Sequence, residues 1–160
     1  MTLFIALLKN QWFVIITHYY SMDLLSRLNS YVLRGKYTWS KKEAAFQKEL
    51  FKHMEKDWFF CYHIEDTSYG FRFLDGLCAT PWPQWYIFGL ELKIIDKYTF
   101  NVSQFEDSQI ALFEDFQWRG IISYIGIFSM EVNKYIVLTY EDILARQNEK
   151  GGIKLFDKIK

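Results

Sequence analysis

One aspartate and a Glu-Leu-Lys triplet are the residues of this chain whose types and spacing could do chemistry. Asp75 lies in Phe71-Arg72-Phe73-Leu74-Asp75-Gly76, an apolar stretch expected to turn at the glycine. Glu91 and Lys93 flank Leu92 inside the run from Trp85 to Ile95, one of the most apolar in the protein. Ionised side chains rarely enter such a run without partners, because desolvating even a lesser polar group costs ~2–7 kcal/mol. Two carboxylates that collect a divalent cation, with an ammonium beside them, would supply the partners. In a strand, residues two apart share a face, so Glu91 and Lys93 would point one way and Leu90, Leu92 and Ile94 the other. If the strand carrying Asp75 pairs with this one, the three charges converge. Mg²⁺ takes oxygen ligands, usually one or two carboxylates plus waters and a phosphate oxygen. A cation there would offset the charge of a phosphodiester and lower the pKa of a bound water. Lys93 would orient that water or steady the developing negative charge. The plainer alternative is an exposed strand with Glu91 and Lys93 as a solvated pair. Against it, both faces of the run are apolar, and Ile87, Gly89 and Ile95 share the face of Glu91.

Two helices are predicted to bring further groups. Ser40-Lys41-Lys42-Glu43 has the form of a capping box. The helix then runs to about Lys56, with Phe46, Leu50 and Met54 on one stripe. Glu43 falls close to that stripe on a helical wheel, which makes it a candidate third carboxylate. Its place in the capping box is a structural alternative, and Glu49 is the fallback carboxylate. Ser103-Gln104-Phe105-Glu106 starts a second helix that should end near Gly120. Gln109 lies in line with Phe105, Leu112 and Phe116. A buried amide needs partners, and either the active site or a neighbouring backbone group would provide them.

The remaining elements frame these groups. Strands are expected over Trp58–Ile64, Tyr69–Leu77, Trp85–Ile95, Ile121–Phe128 and Lys134–Leu138. Thr139-Tyr140-Glu141-Asp142 starts a last short helix that ends near Gly151-Gly152. Pro81 and Pro83 mark a loop between two strands. The order is α-β-β-β-α-β, with a further β and α appended. Three strands followed by a helix crossover imply an α/β fold, a mixed sheet with helices on its faces.

A chain of 160 residues suits one domain with a real core, and 51% hydrophobic and 20% aromatic content argue against disorder. Residues 1–38 read as an N-terminal extension, a helix or strand that covers the domain or builds a subunit contact, and residues 39–160 as the domain itself. Met22 could be the natural start. The apolar stretch Leu3–Ile16 is broken by Lys9-Asn10-Gln11 and has no basic leader. Neither a membrane span nor a secretory signal is therefore expected, and a cytoplasmic location is. Cys61 and Cys78 lack metal-ligand spacing and read as buried free thiols in a reducing compartment. No nucleophile–His pair, Gly-rich phosphate loop or zinc spacing occurs, which disfavours a small-molecule enzyme or an organic cofactor. The net charge is zero but unevenly spread. From Arg27 to Lys56 eight basic residues face three acidic ones, and from Asp57 to Asp115 ten acidic residues face three basic ones. The last eleven residues carry four lysines and one aspartate. An acidic centre with basic flanks suits a metal site beside a polyanion track, although solvated surface charge gives the same pattern.

Glu43, Asp75, Glu91-x-Lys93 and Gln109 fall on α, β, β and α in the order of the PD-(D/E)XK nucleases. Phe73-Leu74-Asp75-Gly76-Leu77 looks like the Asp motif of that superfamily, and Gly89-Leu90-Glu91-Leu92-Lys93 like its E-x-K strand. Phe105-Glu106-Asp107-Ser108-Gln109 resembles its F-x-x-x-Q helix start. The resemblance covers about Trp39 to Gln147 and is greatest to the Holliday junction resolvases of archaea, phages and Gram-positive bacteria. Departures are Leu74 where many members have proline, and the loop Cys78–Gln84, which matches no family motif. The resemblance implies a restriction-endonuclease-like αβββαβ core. It further implies Mg²⁺ or Mn²⁺ held by Asp75, Glu91 and the backbone carbonyl of Leu92, with Lys93 catalytic and Gln109 supporting. The implied partner is branched DNA, a four-way junction nicked on two strands by a homodimer in a prokaryotic or phage-infected cell. Lys41, Lys42, Lys48 and Lys52, with Lys150 and Lys154, are the candidate phosphate contacts. Other readings are a nuclease acting on linear or otherwise branched DNA, and a non-catalytic DNA-binding protein on the same fold.

Overall fold

In the computed structural model, the structure describes residues 23–31, 33, 42–64, 74–81, 86–148 and 152–156. Helical residues 23–29 form α1, and α2 spans Lys42–Lys56. The strands are β1 Phe60–His63, β2 Gly76–Ala79, β3 Ile87–Ile95, β4 Thr99–Phe100, β5 Ile122–Ser129, β6 Lys134–Thr139 and β7 Ile153–Lys154. A 3-10 turn at Val102–Gln104 precedes α3 (Asp107–Trp118), and α4 is Tyr140–Arg146. Five strands form a mixed sheet in the order β1-β2-β3-β5-β6. Among the described residues only β3 and β5 are parallel, joined by the α3 crossover. The chain is therefore α/β, with helices flanking a mixed sheet; α1 precedes the expected α-β-β-β-α-β series, and the two-residue β4 interrupts it before α3.

Alternation along the strands divides the interior into two cores. Phe88, Leu90 and Leu92 of β3 join Phe46, Leu50 and Met54 of α2 in one cluster. Ile95, Ile125 and Ile127 join Phe105 and Phe113 in the other. Leu24 and Leu28 of α1 are buried in the first cluster. Asn29 clamps β6, since its amide donates to the Val137 carbonyl at 3.0 Å and its oxygen accepts the Val137 N–H at 2.7 Å. Residues 23–31 of the expected extension are thus part of the folded core, while residues 1–22 lie outside the described residues.

Several boundaries move. β1 begins at Phe60 rather than Trp58, because Trp58 closes α2 instead. Its φ is 65°, and the Phe59 and Trp58 N–H groups reach back to the Met54 and Glu55 carbonyls at 3.1 and 3.0 Å. This is a Schellman cap, whose left-handed position glycine normally fills. A tryptophan in that conformation costs about 1–2 kcal/mol, and with 83% of its surface exposed it recovers little by burial. Trp58→Gly is expected to raise stability by about 1 kcal/mol in urea unfolding; a loss of stability would mean that the indole packs on the domain. The chain does not turn away at Gly76. β2 starts there, with a bend at Asp75, and residues 69–73 of the expected strand lie outside the described residues. α3 starts at Asp107 because the 3-10 turn takes up the preceding residues, and α4 ends at Arg146, short of Gly151. The β4–β7 pair was not foreseen from the sequence, since two-residue strands show no alternation.

Cys61 and Cys78 are cross-strand partners and both are free thiols. The contact with Cys61, followed by burial, pushes the Cys78 thiol up, so its thiolate is suppressed. Among the described residues no helix is long and apolar enough to cross a membrane.

Candidate active site

β2 and β3 pair antiparallel with Gly76 opposite Leu90, so continuing the register sets Asp75 across from Glu91. Both side chains are buried, with 2% and 3% of their surface exposed. Two glycines let the flanking helices come close. A side chain at Gly76 would meet the Phe51 ring at 2.8 Å. Phe51 of α2 can therefore lie against the start of β2, which brings Gln47, one turn earlier on the same face, to Asp75. A side chain at Gly89 would meet Phe116 of α3 at 3.0 Å. Phe116 and Gln109 are two turns apart on α3, so the same close approach lays Gln109 over Glu91.

The hydrogen bonds are specific. Asp75 Oδ1 accepts from Gln47 Nε2 at 2.5 Å, and Asp75 Oδ2 accepts the Leu92 N–H at 2.6 Å. The Asp75 carbonyl accepts the Ile64 N–H at 3.1 Å and lies 3.0 Å from His63 Nδ1. Glu91 Oε1 accepts from Gln109 Nε2 at 2.7 Å and pairs with Lys93 Nζ at 3.0 Å. Gln109 Oε1 in turn accepts from Lys93 Nζ and from the Glu106 N–H, both at 3.2 Å. Those two donors fix the amide orientation, so Gln109 Nε2 must face Glu91. Lys93 Nζ also lies 5.9 Å from the centre of the Phe105 ring.

The other carboxylate oxygen, Glu91 Oε2, is buried and has no hydrogen-bond partner among the described residues. Burial, and then the neighbouring Asp75 charge, push the Glu91 carboxyl up to about 7; Lys93 and Gln109 offset part of this. A buried carboxylate oxygen without a donor fits a hard cation, which is itself the missing partner. Asp75, Glu91 and the Leu92 backbone would hold it. In an extended strand a residue's N–H and C=O point to the same edge, so the Leu92 carbonyl is directed to the Asp75 side along with its N–H. Among the described residues no group of three or more His, Cys, Asp and Glu side chains gathers. Two carboxylates are within the usual ligand set for Mg²⁺.

The structure thus brings together Asp75, Glu91, Lys93 and Gln109, and it corrects the helix residue. Glu43 is exposed at the start of α2 and Glu49 is half-buried. The α2 side chain that reaches Asp75 is Gln47, also buried. Its signal was available, for it is a polar residue beside Phe46 and Leu50 in the buried stripe of α2. Of the candidate phosphate contacts, Lys48, Lys52 and Lys154 are exposed. Lys41, Lys150 and the side chain of Lys42 lie outside the described residues. One group on the same sheet face was missed altogether. Phe60, Tyr62, Leu77 and Ile87 alternate in register with Asp75 and Glu91, and all four are exposed.

The chain matches no protein-family model, no curated protein and no solved structure.

Proposed function

We propose that the protein is a divalent-metal-dependent endodeoxyribonuclease with a restriction-endonuclease-like core, and that it resolves four-way DNA junctions by paired nicking. The observation that carries this reading is Glu91 Oε2. It is a buried carboxylate oxygen beside Asp75 with no partner among the described residues, on a side chain whose other oxygen is held by Lys93 and Gln109. A bound Mg²⁺ or Mn²⁺ would supply charge neutralisation at the phosphate and a more acidic water.

This chain's own residues do the rest. Asp75 is fixed by Gln47 and by the Leu92 N–H, so its carboxylate cannot swing away. Gln109 holds both Glu91 and Lys93 by hydrogen bonds and keeps the ammonium at the site. From there Lys93 can donate to an attacking water or to a phosphate oxygen as negative charge builds. Lys48, Lys52 and Lys154 are placed for backbone phosphates, which position DNA without reading its sequence. The exposed Phe60 and Tyr62 on the face of the site favour a substrate with unpaired bases, which stack on aromatic rings. A junction has two-fold symmetry, and a homodimer would present two sites related by the same operation.

The test compares a four-way junction with a linear duplex of the same sequence. In Mg²⁺ the junction should be nicked at least about tenfold faster, a gap of ~1.4 kcal/mol in barrier, and EDTA should stop the reaction. Equal rates on the two substrates would remove the junction assignment and leave a general nuclease. Cutting of neither substrate in Mg²⁺ or Mn²⁺ would remove the nuclease reading.

A further inference from the structure

Gln47 fixes Asp75 by a hydrogen bond without itself being a charged ligand. It is buried on the face of α2 that reaches Asp75, where a carboxylate would add another oxygen ligand. Instead an amide N–H, the positive end of a dipole, points at Asp75 Oδ1 from 2.5 Å. The Leu92 N–H engages Asp75 Oδ2, and Gln109 and Lys93 engage Glu91 Oε1. Glu91 Oε2, on a residue with 3% of its surface exposed, is the carboxylate oxygen here that has no donor among the described residues.

Resting on the reading that this site takes a divalent cation, we propose that Gln47 restricts it to a single cation per chain. The charges support this. Ionised Asp75 and Glu91 together with protonated Lys93 leave one net negative charge. One divalent cation and one phosphodiester bring that total to zero. A second cation would leave two uncompensated positive charges in a buried place, with no third carboxylate gathered there among the described residues. Affinity at such sites follows the number of charged ligands, so the amide sets both the count and the strength of binding. Gln47 is on this account a residue that determines metal stoichiometry, and Gln47→Glu should reverse the restriction.

The test is a Mn²⁺ titration of the full chain, with bound ions counted by calorimetry and their mutual coupling read by electron paramagnetic resonance. The wild type should bind one Mn²⁺ with the spectrum of an isolated ion, and Glu91→Gln should lose it. Gln47→Glu should bind its first ion about tenfold tighter than the wild type does and a second, spin-coupled ion more weakly, because the added carboxylate offsets only half of the second ion's charge. Gln47→Leu removes the donor without adding a ligand and should still bind one. Two ions in the wild type, or one ion at unchanged affinity in Gln47→Glu, would overturn the inference and leave the metal site standing. No ion in the wild type would overturn the metal site, and the inference with it. Should Gln47→Glu fail to fold, the wild type and Gln47→Leu decide the matter: one ion in each supports the restriction, and two in either refutes it.

Discussion

Asp75→Ala and Glu91→Ala are each expected to abolish junction cutting, while junction binding survives. Each removes a ligand of the proposed cation and leaves untouched the exposed lysines proposed to hold phosphates. Lys93→Ala should lower the cutting rate by about 10²–10³-fold, the usual cost of losing a preorganised donor to developing charge. Gln109→Leu should cost less, about 10–100-fold, because Gln109 acts by orienting Glu91 and Lys93. This graded series is more telling than any one member. A merely structural cluster would show losses that follow unfolding, whereas here cutting should fall by far more than the shift in urea midpoint accounts for. The rates come from single-turnover nicking and the binding from gel shift at the same salt. Wild-type rates in all the variants would mean that the chemistry lies elsewhere.

The metal-free protein should lose stability as the pH rises from about 5 to about 8, and this slope should vanish in Glu91→Gln. The sign follows from linkage. Glu91 has an ordinary carboxyl pKa of 4.5 in the unfolded chain and one of about 7 in the folded chain. Between those values the folded state holds more protons than the unfolded state, so unfolding becomes easier as pH rises. Below about 4.5 both states are protonated there and this penalty is absent. Above about 7 it is fully present, on the order of 3 kcal/mol. Glu91→Gln should therefore be more stable than the wild type at pH 8 in EDTA, and close to it at pH 5. Mg²⁺ or Mn²⁺ should stabilise the wild type most at pH 8, where the empty carboxylate is charged, and should do little for the variant. Thermal unfolding at several pH values, with and without the ion, reads all of this. A wild type whose stability rises from pH 5 to pH 8 in EDTA would contradict the environment assigned to Glu91.

Much of this site was legible in the sequence for a simple physical reason. Asp75, Glu91, Lys93 and Gln109 are polar residues set into apolar, periodic runs, and such residues must find one another or a ligand. The pairing of β2 with β3 stood only as the condition for bringing Asp75 to Glu91, because alternation fixes which face a side chain takes and not which strand lies alongside. Gln47 carried the same signal, a polar residue beside Phe46 and Leu50. It was passed over because a third carboxylate was sought on that helix, and Glu43 met the chemical criterion. The helical wheel gave the direction of Glu43 but not how far the surface facing it extends, and at the start of α2 the side chain is exposed. The left-handed Trp58 was illegible for a different reason. Nothing in Lys56-Asp57-Trp58-Phe59 favours a left-handed turn, and the cap is imposed by Phe59 and β1 packing back on the sheet. The roles of Gly76 and Gly89 in admitting Phe51 and Phe116 are likewise tertiary facts, which neither glycine announces locally.

The most direct single measurement is anomalous diffraction from crystals of the full chain soaked in Mn²⁺. The account predicts one strong peak per chain, within bonding distance of Glu91 Oε2 and of an Asp75 oxygen. Crystals that diffract well and show no peak there, or show Mn²⁺ only at surface carboxylates, would contradict it.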